Sequence, residues 1–518
     1  MYRIVGSNNL SEKISPKSLL IFIGAGAIVL FLLFEVRDGV SDDRYEFVVE
    51  EGETRVSKEF IFSEKKPLSS LHLDDILGPY DVEQYKLDDG TLTGDEIFVW
   101  YAFYDRRDPE GPRIRILANT VCKELKIEDV VVEMSPNVRL ALAWVEVLGS
   151  AGCTGGVGGH CRLQETDLST VVYRGEIPDE ISIIRKGKKV KVKLHVMPTE
   201  YKDEINSCII APLFWYNDWP RLFVFFEWWK RNKIHKILLH IHSISAPTKK
   251  VIDYYVKQGL VEVRPFPLMP FTKQYNPNNH AYYSSEHMTT FFCSIWSNTQ
   301  YTTMNDVDEL FHVVNRSETL LDVARRQMGS NSNSGVGAVG LPHHALGFPG
   351  GIAPEPWDFE KFQQMAFVKE THPFAEARSG KYIYKTKYAK LPGIHGMRLF
   401  YAKKYFEMLP KEQAVYLHMR NEFTNISKPR IFPDFKLFED QALLEMSQIL
   451  NEIFSDGPPS FKFPETRVKV DDCIQRALVE IRDQDCIKPT GTTCYAALKD
   501  LDEWLYAKPI EDSRFLYV

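Results

Sequence analysis

The chain of 518 residues exceeds one ordinary domain, and with 13% aromatic residues most rings must fill a core. A formal charge of -7 argues against a nucleic-acid binder. The basic run from Arg185 to Lys193 does not overturn this, because its Lys/Val alternation reads as a strand whose solvated, charged face protects a sheet edge.

In chain order, residues 1–18 form a short tail with Arg3, Lys13 and Lys17, and residues 19–34 are an apolar run unbroken by charge. With Ser18 that run reaches the low end of the spanning range of about 17 to 25 residues. Its small residues Gly24 to Ala27 lie mid-run and its end meets Glu35-Val-Arg-Asp38, a poor cleavage site, so an uncleaved anchor is favoured over a signal peptide. Basic residues before the span and Asp38, Asp42 and Asp43 after it place the tail in the cytosol and the rest on the lumenal side, a single-pass type II arrangement.

Residues 35–88 are charged and mixed, as in a stem. Over 89–200 short β-rich runs recur, at Ile97–Tyr104, Arg113–Ala118, Val130–Met134, Arg139–Leu148, Thr170–Arg174 and Lys189–Val196, separated by turns such as Asp89-Gly90 and Gly111-Pro112. This predicts a small β domain. From 201 to 455 the rhythm becomes strand-helix alternation: strands at Ser207–Leu213, Ile237–Ile241, Leu260–Arg264 and Tyr301–Asn305, helices at Trp219–Asn232, Ala246–Gln258 and Tyr282–Ser297. Alternation of this kind predicts an α/β fold with a mostly parallel, doubly wound, Rossmann-like sheet that binds ligands beyond the carboxyl ends of its strands. Residues 456–518 are left as a C-terminal appendage, and 328–357 form a long Gly/Ser/Pro-rich loop that reads equally as an acceptor lid or as disorder.

All eight cysteines lie beyond the apolar run, where disulfides are allowed. Cys153 and Cys161 close a short glycine-rich loop and are the favoured bridge; a zinc site with His160 is the weaker alternative, because no partner Cys-x-x-Cys pair appears. Asn315-Arg-Ser317 and Asn425-Ile-Ser427 are glycosylation sequons usable on the lumenal side.

Thr302 to Phe311 crowds Asp306, Asp308 and Glu309 at the end of the fourth predicted α/β strand. A solvated turn or helix N-terminus has the same composition, but two carboxylates two residues apart can also grip a hard divalent cation or hold a ribose. Placement at a carboxyl strand end favours a site.

Several landmarks then occur in order: Cys208-Ile-Ile-Ala-Pro-Leu-Phe214, Glu227, Tyr255-Val-Lys-Gln-Gly259, Asp306-Val-Asp-Glu309, His395 and His418-Met-Arg420. Over about 205 to 450 the chain resembles glycosyltransferase family 92, a group of Golgi-type nucleotide-sugar enzymes. The resemblance implies a GT-A catalytic domain, a UDP-sugar donor (usually UDP-galactose), Mn2+ or Mg2+, and inverting transfer of a hexose to a glycan acceptor on glycoprotein or glycolipid at the Golgi membrane. Two departures bear on donor or acceptor choice: Asn278 to His287 lacks an expected Asn-Asp-Cys, and Met419 replaces a usual tyrosine.

On this reading Asp308 binds the metal most directly, Asp306 meets metal or ribose, and Glu309 supports the turn. His395 is a third metal ligand, with flanking glycines that allow close backbone approach. His418 and Arg420 contact the nucleotide-sugar, with Arg420 forking on phosphate, and Lys387 is chosen over Lys381 and Lys385 as a diphosphate contact. Asp440 is the candidate general base, although a helix-like run comes after it and capping or dipole compensation accounts for it better. Trp215, Trp219 and Trp357 are the candidate sugar-stacking rings. Rival functions are a glycoside hydrolase, whose common acidic signatures do not fit, and an anchored glycan-binding protein on an inactive transferase fold. An EF-hand is excluded because Leu310-Phe311 stand where its glycine belongs.

Overall fold

The computed structural model describes residues 72–79, 81–122, 125, 127–148, 161–172, 177–282, 285–329, 335–347, 366–367, 379–419, 437–459, 462–480, 494–509 and 515–518. The predicted tail, apolar span and most of the stem lie outside these residues. Among the described residues, no helix is long and apolar enough to cross a membrane.

The β-rich part forms one sheet. Its strands are β1 (Phe98–Asp105), β2 (Arg113–Val121), β3 (Val130–Ser135), β4 (Val138–Ala141), β5 (Trp144–Val147), β6 (Leu163–Val171), β7 (Glu180–Arg185) and β8 (Lys188–Val196). They are ordered β4-β3-β7-β8-β1-β2-β6-β5. The predicted strand Arg139–Leu148 is two strands, β4 pairing with β3 and β5 with β6, so neighbours in sequence stand at opposite ends of the order. The sheet therefore curls back on itself around a core that includes Ile116, Val132 and Ile183.

β6 starts well before the predicted Thr170 because Glu165, Thr166, Asp167 and Ser169 read as loop composition, yet all are buried here. The lysine-bearing half of β8, Lys188–Lys193, pairs with β7, whereas β1 joins it only over Leu194–Val196. The charged edge predicted from the Lys/Val alternation is thus half a strand long.

The second sheet contains β9 (Lys202–Ile209), β10 (Lys236–Ile241), β11 (Val261–Pro265), β12 (Thr299–Asn305), β13 (Glu309–Val313), β14 (Val336–Gly347), β15 (Ser379–Lys385) and β16 (Ala414–Met419). The order is β11-β10-β9-β12-β15-β14-β16-β13. The first four are mutually parallel, as strand-helix alternation requires. The sheet as a whole is mixed rather than mostly parallel: β15 is antiparallel to both β12 and β14, and β13 is antiparallel to β16.

Helices α1 (Trp219–Arg231), α2 (Ala246–Lys257) and α3 (His287–Trp296) link the parallel strands, α4 (Leu320–Met328) lies between β13 and β14, and α5 (Asp440–Ile453) comes after β16. Connectivity is the physical reason for the mixed sheet. The crossovers through α1 and α2 each return the chain to a neighbouring parallel strand and the one through α3 carries it back to the far side of β9, still parallel, whereas α4 joins two strands of the mixed half that are not neighbours in the sheet. Asp218 caps α1 by accepting from the Arg221 amide at 3.2 Å, and Ser245 caps α2 by accepting from the Thr248 amide at 3.3 Å. Gly259, at φ +74°, ends the turn after α2 where a side chain would be strained. The apolar side of α1 packs with Leu239, Tyr255 and Phe311 in the main core. A disulfide joins Cys208 on β9 to Cys293 on α3.

Among the described residues after 456, residues 504–507 are the middle strand of a separate three-stranded sheet. Strand Trp504–Ala507 pairs with Leu77–Gly78 and with Ser243–Ser245, and Leu516–Tyr517 pairs with β1. Helix Phe463–Glu480 is tied to the segment before Trp504 by the Cys473–Cys494 disulfide. Trp215 and Trp219, predicted as sugar-stacking rings, are instead buried at 3% and 4% exposure. Trp215 packs edge-on against Trp504 and Tyr506. Trp357 lies outside the described residues.

A buried ionic network joins the curled sheet to the residues around 386–401. Asp105 pairs with Arg107 at 2.9 Å and Arg115 at 3.3 Å, Arg115 Nε donates to Asp167 at 2.9 Å, and Tyr401 Oη donates to Asp105 at 2.7 Å. Arg107 and Arg115 also donate to the carbonyls of Thr386 and Lys390. Burial alone would raise the Asp105 pKa, but the two guanidiniums hold it well below the carboxylate range.

Candidate active site

The strand order β11-β10-β9-β12 reverses its direction of winding between β9 and β12, and β12 ends at Asn305 beside that point. Asn305 is buried and accepts from Ser207 Oγ of β9 at 3.1 Å, which locks the two strand ends together. The chain then reverses through Asp306-Val307-Asp308 into β13. Val307 is buried, so the two aspartates are left on the outer side of the turn.

Glu309 closes this turn. Its Oε2 accepts from the Asp306 amide at 2.5 Å, and its own amide donates to the Asp306 carbonyl at 3.1 Å. The Met419 amide donates to the Asp308 carbonyl at 2.8 Å, tying the turn to β16. The side chains of Asp306 and Asp308 keep 34% and 23% exposure, against 4% for Glu309.

Two neighbouring strands complete the cluster. Lys381 on β15 is buried, with Nζ 3.0 Å from Asp306 Oδ2 and 3.4 Å from Glu309 Oε2. His418 on β16 stands directly opposite Glu309 in the ladder and therefore shares its face. Its Nε2 is 3.2 Å from Asp308 Oδ2 and 4.0 Å from Glu309 Oε1. Ligand atoms of Asp308, Glu309 and His418 all lie within 4.8 Å of one another. Glu309 thus uses one oxygen on the turn and turns the other toward Asp308 and His418.

Burial pushes the Glu309 carboxyl well above its ordinary range; Lys381 opposes this, and Asp306 and Asp308 reinforce it. Burial alone would lower Lys381, but Asp306 and Glu309 hold its ammonium above the usual value. Asp306, Asp308 and the buried Glu309 outnumber the Lys381 ammonium, and a cation arriving among them would relieve the crowding that raises Glu309. Two carboxylates and an imidazole are the donor types that suit manganese, and magnesium through the oxygens, so the residues present fit a divalent cation.

The loop between β9 and α1 supplies another cation. Arg221 lies in the first turn of α1 with Nη1 4.0 Å from Asp308 Oδ2 and Nε 3.0 Å from Asp218 Oδ2. Asp218 is buried, and burial raises its pKa against the pull of Arg221. The Arg221 guanidinium also lies 5.7 Å over the Phe463 ring, so the C-terminal segment borders this side of the site.

Of the residues predicted from sequence, Asp306, Asp308, Glu309 and His418 come together. His395 is exposed on the turn between strands Ala389–Pro392 and Met397–Phe400, with Nδ1 2.9 Å from the Gly380 carbonyl, and stands outside the Asp308–Glu309–His418 group. Lys387 is exposed, 5.9 Å over the Tyr388 ring, and it is Lys381 that meets the acids. Asp440 is the exposed first residue of α5, the position that compensates a helix dipole. Asn315 is exposed in a turn after β13. Cys161 is disulfide-bonded. Cys153, Arg420 and Asn425 lie outside the described residues.

Sequence reasoning weighed Lys381 but chose Lys387 instead, and it missed Arg221 and His343. The signal for Arg221 was present, because Asp218-Trp-Pro220 is a capped helix start directly after the first α/β strand, where ligands are bound.

Residues 204–454 match the model described as Glycosyltransferase family 92. No curated protein matches. Among solved structures, the crystal structure of amylomaltase from Corynebacterium glutamicum aligns at 10% identity over 27% of this chain and 20% of that chain, with a TM-score of 0.13. That likeness spans about a fifth of the amylomaltase chain and carries no argument.

Proposed function

We propose, for a chain that belongs to glycosyltransferase family 92, that it transfers a hexose from a UDP-sugar to a glycan acceptor with inversion, in a metal-dependent reaction at the Asp306–Asp308 turn. The observation that carries this reading is the group formed by Asp308, Glu309 and His418 at the carboxyl end of β12. UDP-galactose as donor, a glycoprotein or glycolipid acceptor, and a Golgi membrane location through an anchor at 19–34 rest on the family resemblance and on the apolar run.

Asp308, Glu309 and His418 would hold Mn2+ or Mg2+. Such an ion, when bound, neutralises the donor diphosphate and stabilises the departing UDP. Asp306, the most exposed of the three acids, is the one suited to a ribose hydroxyl. Lys381 holds Asp306 and Glu309 in place, so that the turn survives when no cation compensates it. Arg221, oriented by Asp218, presents its guanidinium beside Asp308, where it can meet a phosphate oxygen.

The test is to incubate the full chain with a panel of UDP-sugars, with and without manganese, and to measure UDP release and transfer to glycan acceptors, with Asp308→Asn as control. Manganese-dependent transfer lost in the variant is expected. Metal-independent turnover, or full activity in Asp308→Asn, defeats the reading, and glycan cleavage without nucleotide replaces it with a hydrolase.

A further inference from the structure

His418 has a second contact. Its Nδ1 lies 3.0 Å from Nε2 of His343, a residue of β14. The register explains the meeting: His343 is the β14 partner of Tyr416 in a parallel pairing, and His418, two residues on from Tyr416, lies on the same face of β16. The two imidazole rings stand edge to face, with centroids 5.2 Å apart. The seat for His343 depends on Gly380 of β15, where a Cβ would come within 2.6 Å of the Tyr416 ring and 3.2 Å of the His343 Cβ. Three strands are thus arranged around one imidazole.

We propose that His343 is a positioning residue that fixes the ring orientation and tautomer of His418, holding its Nε2 toward the cation shared with Asp308 and Glu309. This inference rests on the metal-dependent reading of the site. A histidine can offer Nε2 to a cation only as a lone pair, so its proton must sit on Nδ1. The atom waiting 3.0 Å from that nitrogen is His343 Nε2, which then accepts the hydrogen bond. Ligating imidazoles generally carry such a partner on the other nitrogen, and losing it weakens metal binding by about 10–100-fold.

The experiment uses the full chain and manganese alone, without nucleotide, counting free Mn2+ by electron paramagnetic resonance during a titration. His343→Phe keeps an aromatic ring against Tyr416 and removes the acceptor; His343→Leu serves in its place if the Phe variant does not fold. His343→Gln keeps an amide oxygen that can accept from His418 Nδ1. The expected result is a manganese Kd about 10–100-fold weaker in the Phe or Leu variant and largely restored in Gln. With saturating manganese, transfer by the Phe or Leu variant should return toward the wild-type kcat, because only metal capture is impaired. Wild-type manganese affinity in the Phe or Leu variant overturns the proposal, and so does a Gln variant as weak as Phe. Asp308→Asn separates the two claims: if it loses manganese while the His343 variants keep it, the role of His343 falls and the metal reading stands. A wild-type chain that binds no manganese removes both.

Discussion

Two ionic clusters among the described residues, one around Asp105 and one around Asp306, differ in a way that separates structure from site. Around Asp105 and Asp167, two carboxylates face two arginines, with Tyr401 and backbone carbonyls taking further hydrogen bonds, and the pairs are 0–2% exposed. Around Asp306, Asp308 and Glu309, three carboxyl groups meet the Lys381 ammonium, with Arg221 4.0 Å from Asp308 but shared with Asp218, and two of them remain a quarter to a third exposed. A sealed, balanced cluster holds two parts of a fold together. An open cluster with surplus acidic groups is completed by something that arrives from solvent.

The largest effect is expected from breaking the sealed cluster. Arg115→Leu strands Asp167 and weakens the hold on Asp105, and should cost about 3–5 kcal/mol in denaturant unfolding with all probes moving together. Next, Asp308→Asn should lower transfer by about 10²–10³-fold while leaving unfolding free energy within about 1 kcal/mol of wild type, because it removes a crowded charge. An equally large stability loss in that variant would erase the contrast between the clusters.

Two residues from Asp167 on β6, Glu165 lacks such an arginine partner among the described residues. Glu165 is buried, with neither carboxylate oxygen hydrogen-bonded among the described residues, and burial, with Glu286 adding to it, pushes its pKa up to about 8 from an ordinary 4.5. The folded chain therefore keeps a proton that the unfolded chain releases, so stability falls as pH rises from about 4.5 to about 8. Glu165→Gln should gain roughly 2–4 kcal/mol on wild type at pH 8 relative to its effect at pH 5, read from denaturation at both values. Lys381→Met should cost about 1–3 kcal/mol in metal-free buffer by leaving Asp306 and Glu309 opposed, with added manganese recovering much of the loss in melting temperature. The smallest change is expected for Asp440→Asn: less than about 1 kcal/mol of stability and transfer within about threefold, since an exposed first-turn acid chiefly serves the helix dipole. A 100-fold loss of transfer there would make Asp440 the base.

The parallel half of the catalytic sheet was legible because its strands and helices are written in local periodicity, caps and Gly259. The later strands were not, since β13, β14, β15 and β16 pair over long separations without a regular strand-helix alternation. β6 was misplaced for a related reason: its acids and threonines look like loop until Arg115 and the opposite strand bury them. At the site, Asp306 and Asp308 could be picked from spacing and position. Lys381 looked like any of three lysines, because only the register of β15 against β12 decides which one meets the acids.

By itself the sequence determined the placement of an acidic turn at the end of the fourth α/β strand, since strand-helix alternation and turn chemistry act between near neighbours. Tertiary structure alone decided the company that turn keeps. The pairing of β13 with β16 brought His418 to Glu309, the meeting of β14 with β16 brought His343 to His418, and the C-terminal segment packed Phe463 against Arg221. Such partners are set by strand register and packing between segments far apart in the chain, and local physical chemistry carries no record of them.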